Sequence, residues 1–237
     1  MKAILEGHTF PFTVPQGFRI TPEQFEQLAA AEQLARLELT KDGELIVMSP
    51  QSVRSDRRLA TTGNADALRG GTAGGKNFNL YLDLGNWNRQ TKLGKAFDSS
   101  TIFALPNGAR KSPDVSWVEL KKWNRLTQSQ QDGFPPIAPD FVIELIAPSR
   151  FAVPSERRWT PVHGPSDLKN QRYEDLQAKM QEYLDNGVKL GWLIEPSAKT
   201  VEIYRSNKQV EILNNPPTLS GEDILPGFTL DLSEIFI

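Results

Sequence analysis

The chain lacks cysteine and has very little histidine, and these two shortages exclude several kinds of site. With no cysteine among 237 residues, it has no thiol for a disulfide, a zinc ribbon, an iron–sulfur cluster or thiol catalysis. Its two histidines, His8 and His163, lie far apart, which argues against a histidine-rich metal site or a Ser-His-Asp triad. Any metal is therefore expected to be a hard cation held by carboxylates.

Long apolar runs are also missing from the sequence. No stretch approaches the roughly 18 consecutive apolar residues of a membrane helix. The apolar start of the chain is broken at Glu6 and Gly7, so a secretory signal is not expected. We expect a cytoplasmic protein with no membrane association, folded as one domain over residues 1–237.

Charge is nearly balanced overall but unevenly distributed. With a net charge of −2, the protein as a whole lacks the excess of basic residues that is typical of nucleic-acid-binding proteins. Residues 54–95 nevertheless hold eight basic and three acidic side chains, and residues 149–172 hold five basic and two acidic ones. Two interpretations stay open: ordinary surface variation, or two basic elements that flank a phosphate-bearing ligand.

The first half of the chain predicts a helix, a strand and a hairpin. The sequence Thr21-Pro22-Glu23-Gln24 is typical of a capped helix start. Residues 45–48 are typical of a strand that follows a turn at Asp42-Gly43. After a glycine-rich stretch interpreted as a loop, residues 76–87 have helical apolar spacing, and the expected apolar face consists of Phe78, Leu80, Tyr81, Leu84 and Trp87. Asn107-Gly108 predicts a hairpin between strands at 101–105 and 115–118.

The second half predicts alternating strands and helices, which favours α/β layers. Residues 141–146, FVIELI, are almost wholly apolar and indicate a buried central strand. A helix whose apolar face runs from Tyr173 to Leu184 is expected to end at Asn186-Gly187. Strands are expected at 190–194, 201–204 and 209–213.

Three charged residues stand out against these elements. Glu144 lies inside the apolar strand, where an unpaired carboxylate is costly to bury; it either reaches solvent or an arginine, or serves as a metal ligand or catalytic group. Asp114 opens the strand VSWV, and two carboxylates that converge at strand ends are suited to Mg²⁺. Lys179 borders the apolar face of the later helix, where a lysine with its head in solvent is the ordinary alternative.

Several blocks of sequence together resemble one family. The blocks are SPDVSWV (112–118), PDFVIE (139–144), LQAKMQEYLDNGV (176–188) and GWLIEP (191–196). In this order and spacing they resemble the Uma2 family, endonucleases of the restriction-endonuclease-like PD-(D/E)XK superfamily. The resemblance covers about residues 10–237 except two stretches, and the segment 220–228 is similar to the family's cyanobacterial members.

The resemblance implies a fold, an activity and a set of site residues. The implied fold is an α/β restriction-endonuclease-like core, with a central mixed sheet flanked by helices and an added N-terminal helix and hairpin. Asp114 and Glu144 match the metal-binding aspartate and the catalytic glutamate. The superfamily's usual lysine position is Ile146 here, and Lys179 matches the lysine that takes over its role. Glu38 matches a recurrent acidic position of the family. The implied cofactor is Mg²⁺, with Mn²⁺ possible; DNA is the implied substrate, and a homodimer is favoured.

The chain departs from the family pattern at two insertions, near residues 51–69 and 150–164. They are either substrate-contacting loops or signs of a decayed, inactive copy. Three functions therefore remain in competition: a Mg²⁺-dependent endodeoxyribonuclease, a catalytically inactive module that binds nucleic acid or protein, and a structural protein. In the last case Asp114 and Glu144 would simply be paired with arginines.

Overall fold

The structure is a computed structural model that describes residues 18–31, 36–48, 71–146 and 165–237. Both expected insertions, near 51–69 and 150–164, lie outside these residues. The chain divides into two compact units, each taken here by itself. The single domain expected from the sequence stays a prediction. Within the described ranges, no helix combines the length and apolar character that crossing a bilayer requires.

The first unit, described over residues 18–31, 36–48 and 108–110, contains the expected N-terminal helix and hairpin. Helix α1 (Pro22–Ala31) begins at the predicted cap, where the Thr21 N–H donates to Gln24 Oε1 at 2.9 Å and the Gln24 N–H donates to Thr21 Oγ1 at 3.3 Å. Strands β1 (Arg36–Leu39) and β2 (Leu45–Met48) pair antiparallel. Gly43 in the turn has φ +83°, which glycine adopts without strain.

The second unit contains the remaining helices and strands. The helices are α2 (Gly71–Thr91), α3 (Leu120–Trp123), α4 (Gln128–Asp132) and α5 (Pro165–Asp185). The strands are β3 (Gly94–Asp98), β4 (Phe103–Ala104), β5 (Arg110–Lys111, of which Lys111 belongs here), β6 (Val115–Glu119), β7 (Phe141–Leu145), β8 (Leu190–Glu195), β9 (Thr200–Arg205), β10 (Glu211–Asn214), β11 (Thr218–Ser220) and β12 (Thr229–Asp231).

A six-stranded sheet in the order β10-β9-β8-β7-β6-β3 forms the centre of this unit. Strands β7 and β8 are parallel, and the other neighbouring pairs are antiparallel. A parallel pair needs a crossover connection, and α5 lies in the one between β7 and β8. The expected α/β fold with a central mixed sheet flanked by helices is confirmed.

The two faces of the sheet are covered by different elements. Alternate residues of the strands, including Trp117, Ile143 and Trp192, pack in one apolar cluster with α2 and the C-terminal segment. The opposite face contacts α5. There Gly191 lets the helix come close, because a Cβ at this position would lie 2.5 Å from Met180 Cε.

One predicted strand pairing is wrong. The Asn107-Gly108 turn joins β4 to the two-residue strand β5 rather than to β6. Strand β6 instead lies between β3 and β7, antiparallel to both. A turn motif specifies that a hairpin forms, but the partner of a strand several residues further on depends on non-local packing.

The predicted apolar face of α2 is also partly wrong, and the helix starts at Gly71, earlier than expected. Leu80, Leu84 and Trp87 are buried as expected, but Phe78 is 61% exposed. The buried face continues instead through Lys76, 8% exposed, whose Nζ donates to the Ile237 carbonyl at 2.6 Å. Lysine can occupy such a position because its apolar stem packs while its ammonium finds an acceptor.

Candidate active site

Glu144 is a buried carboxylate held by two donors from one helix. All five residues of β7 are buried, and Glu144 is 3% exposed. Its Oε1 lies 2.8 Å from Lys179 Nζ and accepts a hydrogen bond from the Tyr183 hydroxyl at 3.1 Å. The strand places the charge inside, and α5 supplies the cation and the donor that burial requires.

Asp114 lies beside Glu144 at the same end of the sheet. It immediately precedes β6 and is 2% exposed. Since Val115 pairs with Ile143 in antiparallel register, continuing the register by one residue sets Asp114 opposite Glu144. Asp114 Oδ2 accepts a hydrogen bond from the Leu145 N–H at 2.9 Å, which fixes the orientation of this carboxylate.

Lys179 points into the site rather than into solvent. Its side chain is 12% exposed, and its Nζ is also 3.4 Å from the Ser112 carbonyl oxygen. One turn along α5, Glu182 Oε1 accepts from Asn107 Nδ2 at 2.9 Å, and Glu182 Oε2 lies 3.2 Å from Lys111 Nζ. These contacts hold α5 next to the segment that leads into β6, and so they help to orient Lys179.

Tyr183 is a residue of this cluster that the sequence interpretation missed. The pattern assigned it to the apolar face of α5, and it is indeed 1% exposed. Its hydroxyl nevertheless contacts Glu144, and its ring centroid is 5.7 Å from Lys179 Nζ. The available signal was the spacing of Lys179 and Tyr183, because residues four apart share one face of a helix.

A second buried carboxylate lies on the same face of the sheet. Glu202 of β9, 3% exposed, belongs to the same cross-strand row as Glu144, two strands away. It accepts hydrogen bonds from the Tyr173 hydroxyl, from Gln177 Nε2 at 2.8 Å and from the Tyr204 hydroxyl at 2.5 Å. These three donors are neutral, whereas Glu144 has an ammonium beside it.

The two tyrosines beside Glu202 are not candidates for a covalent nucleophile. Burial first, and then the hydrogen bond to Glu202, raise the pKa of Tyr173 and of Tyr204 well above the ordinary tyrosine value. Both hydroxyls therefore stay protonated at neutral pH and act as donors. This cluster fastens the first half of α5 to the sheet.

The pair Asp114 and Glu144 fits a magnesium ion by its chemistry. Mg²⁺ in proteins is usually bound by one or two carboxylates, with water and substrate oxygens completing its coordination. In the part of the chain that the structure describes, no three or more His, Cys, Asp or Glu side chains gather as a metal cluster. The protein would then offer the carboxylates of Asp114 and Glu144 as ligands.

Two other residues singled out from the sequence have different surroundings. Ile146, at the usual lysine position, is buried and donates its N–H to the Ile194 carbonyl at 2.8 Å. It therefore extends the β7–β8 pairing and supplies no charge. Glu38 is buried in β1 of the first unit, where it pairs with Ile46.

The basic segment 54–95 does not flank Glu144 in its described part. Lys95 lies in β3, and Lys92 lies two residues before β3 begins. Lys95 pairs with Val118 near the end of β6, about 10 Å along the strand from Val115. Lys76 is buried against the C-terminal carbonyl. Residues 149–164 of the second basic segment lie outside the described residues.

Comparison with known proteins identifies the family. Residues 66–151 and 167–233, more than half of the chain, match the Uma2 family, described as "Putative restriction endonuclease". The fold is similar to the crystal structure of "a putative nuclease belonging to DUF820" from Anabaena variabilis ATCC 29413, with a TM-score of 0.60, 18% identity, and coverage of 92% of this chain and 97% of that one. No curated protein matches. The matched ranges contain Asp114, Glu144 and Lys179, and the chain belongs to the Uma2 family.

Proposed function

We propose that the chain is a Mg²⁺-dependent endonuclease, able to use Mn²⁺, that hydrolyses phosphodiester bonds of DNA. One observation carries the proposal: the Lys179 ammonium lies 2.8 Å from Glu144, a buried carboxylate set opposite a second one. Membership of a family described as nucleases supports nucleic-acid hydrolysis in general terms. The metal ion and the choice of DNA are parts of the proposal.

Each residue has a separate task in this mechanism. Asp114 and Glu144 would hold the ion, and bound Mg²⁺ supplies activation of the phosphodiester and of a water molecule. Lys179 donates hydrogen bonds to the attacking water or to the charge that develops on the phosphate oxygens. The hydrogen bond from the Leu145 N–H keeps the Asp114 carboxylate oriented before anything binds, which lowers the reorganisation that the reaction needs.

A cleavage assay with one isosteric variant and one matched control tests the proposal. Supercoiled, linear and single-stranded DNA are incubated in Mg²⁺ or Mn²⁺ with wild type, Glu144→Gln and Glu202→Gln. We expect Glu144→Gln to lower the rate roughly 10³-fold or more, because a metal-binding carboxylate contributes several kcal/mol to transition-state stabilisation. Glu202→Gln should cleave like wild type, since Glu202 is equally buried but two strands away. Equal cleavage by wild type and Glu144→Gln would contradict the assignment.

A second candidate function is a nuclease-like module that binds nucleic acid or protein without cleaving it. Ile146 favours it, because this apolar residue stands where the superfamily usually has its lysine. The same assay separates the two functions: DNA retained by the protein without any product, in every metal tested, supports the binding module. The homodimer is a further part of our proposal, and light scattering of these preparations measures it.

A further inference from the structure

Lys179 and Tyr183 share one oxygen of Glu144 but differ in charge. The ammonium lies 2.8 Å and the hydroxyl 3.1 Å from Oε1. A divalent cation bound at Glu144 repels a neighbouring ammonium by Coulomb's law, whereas a hydroxyl has no net charge and is affected much less. The two donors should therefore respond in opposite ways when the carboxylate takes a cation.

We propose that Tyr183 is a positioning residue that keeps Glu144 in its cation-binding orientation, while Lys179 competes with the cation for the same oxygen. This inference rests on the proposed function, because it assumes that Glu144 is a ligand of the metal. Tyr183 is almost fully buried, so its hydroxyl holds a defined place on Glu144. It does what outer-shell hydrogen bonds to metal ligands generally do, which is to orient them and tune their affinity.

Lys179 has a second acceptor within reach when it leaves Glu144. The Ser112 carbonyl oxygen is 3.4 Å from its Nζ, and Ser112 lies two residues before Asp114. The ring of Tyr183 is also near the ammonium, 5.7 Å from its centroid, which favours a cation electrostatically. Lys179 is thus released from the carboxylate but stays at the site, where a phosphate can take its hydrogen bonds.

Mn²⁺ binding to the whole chain, without DNA, tests these opposite roles. Tyr183→Phe removes one hydroxyl, and we expect it to weaken Mn²⁺ affinity about 10-fold or more. Lys179→Met removes the competing ammonium, and we expect Mn²⁺ to bind about fivefold tighter. Titration calorimetry or the electron paramagnetic resonance signal of free Mn²⁺ measures both.

Tyr173→Phe is the matched control. Tyr173 is also on α5 and also donates its hydroxyl to a buried carboxylate of the same cross-strand row, but that carboxylate is Glu202. We expect this variant to lose stability yet to bind Mn²⁺ like wild type. A purely structural role for Tyr183 predicts instead that the two phenylalanine variants behave alike.

The cleavage rate at saturating Mn²⁺ separates positioning from chemistry. Tyr183→Phe should approach the wild-type rate once the ion is saturating, whereas Lys179→Met should stay slow although it binds the ion more tightly.

Two outcomes overturn the inference, and they can be told apart. If Glu144→Gln loses Mn²⁺ but Tyr183→Phe keeps wild-type affinity, or Lys179→Met binds more weakly, the inference fails and the proposed function stands. If wild type and Glu144→Gln have the same Mn²⁺ affinity, both fail together.

Discussion

Glu144 and Glu202 are the same residue type, buried to the same extent, but they have different neighbours. Both are 3% exposed and lie in one cross-strand row under α5. Glu202 is surrounded by two tyrosine hydroxyls and an amide, an arrangement that satisfies a carboxylate without adding charge. Glu144 has an ammonium and an aspartate beside it. The ammonium beside Glu144 distinguishes the candidate site from the uncharged donors around Glu202.

Asp114 is expected to have a charge role and a hydrogen-bonding role that two substitutions separate. Asp114→Asn keeps an oxygen for the Leu145 N–H but removes the charge, so Mn²⁺ affinity should fall at least about 10-fold with little loss of stability. Asp114→Ala also leaves that buried N–H without its acceptor, which should lower the unfolding free energy by about 1–3 kcal/mol more. Mn²⁺ titration and urea unfolding followed by tryptophan fluorescence measure the two effects.

Either half of this prediction can fail independently. Wild-type Mn²⁺ affinity in Asp114→Asn would show that Asp114 is not a ligand. Equal unfolding free energies for the two variants would show that the contact between Asp114 and Leu145 contributes nothing measurable.

At the scale of elements, the crossover from β7 to β8 explains how a lysine on a helix comes to contact Glu144. Glu144 is near the end of β7, and the chain returns along α5 before it enters the parallel neighbour β8. Helix α5 packs on β8 and β9, and from there Lys179 and Tyr183 reach Glu144 on the adjacent strand β7. Lys179 can therefore contact Glu144 although 35 residues separate them.

Strand β3 is expected to tolerate no side chain at Gly94. A Cβ there would lie 2.2 Å from the Val118 carbonyl and 2.3 Å from the Trp117 ring, and neither can move easily because both are packed in β6. Gly94→Ala should therefore destabilise the fold by about 1–3 kcal/mol. Gly85→Ala is the control: among the described residues, no atom outside the helix's own neighbouring backbone lies within 4 Å of a Cβ placed at Gly85. Replacing a helical glycine by alanine should raise the unfolding free energy by about 0.5–1 kcal/mol.

Urea unfolding of both glycine variants measures the two changes in unfolding free energy, which should have opposite signs. A Gly94→Ala protein as stable as Gly85→Ala would mean that β3 does not pack against β6 as closely as described.

At the scale of the whole second unit, one face of the sheet packs in the apolar cluster and the other carries the candidate site. One face packs in the apolar cluster with α2 and the C-terminal segment, where Phe228 contacts Trp87 and Trp192 with ring centroids 5.6 Å and 6.1 Å apart. The other face carries Glu144 and Glu202 under α5. This apolar cluster is thus on the side of the sheet away from the candidate site.

Phe228→Ala should consequently weaken folding without changing the site. Removing a buried phenylalanine costs about 3–5 kcal/mol, whereas Ile212→Ala, at a position 59% exposed, should change the unfolding free energy by at most about 0.5 kcal/mol. Below the unfolding transition, both variants should bind Mn²⁺ with wild-type affinity. A parallel loss of Mn²⁺ affinity in Phe228→Ala would contradict the independence of the two faces.

Local patterns were enough to predict several of the helices and strands and the polar residues that stand out against them. The capped start of α1, the buried strand β7 and the end of α5 just before Asn186 and Gly187, where the φ of Gly187 is +102°, all follow from residues close together in sequence. The charges of Asp114, Glu144 and Lys179 were visible because they interrupt apolar patterns. Such features depend on neighbouring residues alone, which a sequence contains in full.

Which surfaces meet was decided only by the tertiary structure. Periodicity marked Phe78 as buried and Tyr183 as an ordinary apolar residue, but Phe78 is exposed and the Tyr183 hydroxyl lies on Glu144. The pairing of β6 with β3 and β7 was likewise not visible in the turn that precedes it. A helix or strand specifies its own faces through its period. What lies against each face depends on contacts between residues far apart in the chain, and only their simultaneous packing selects them.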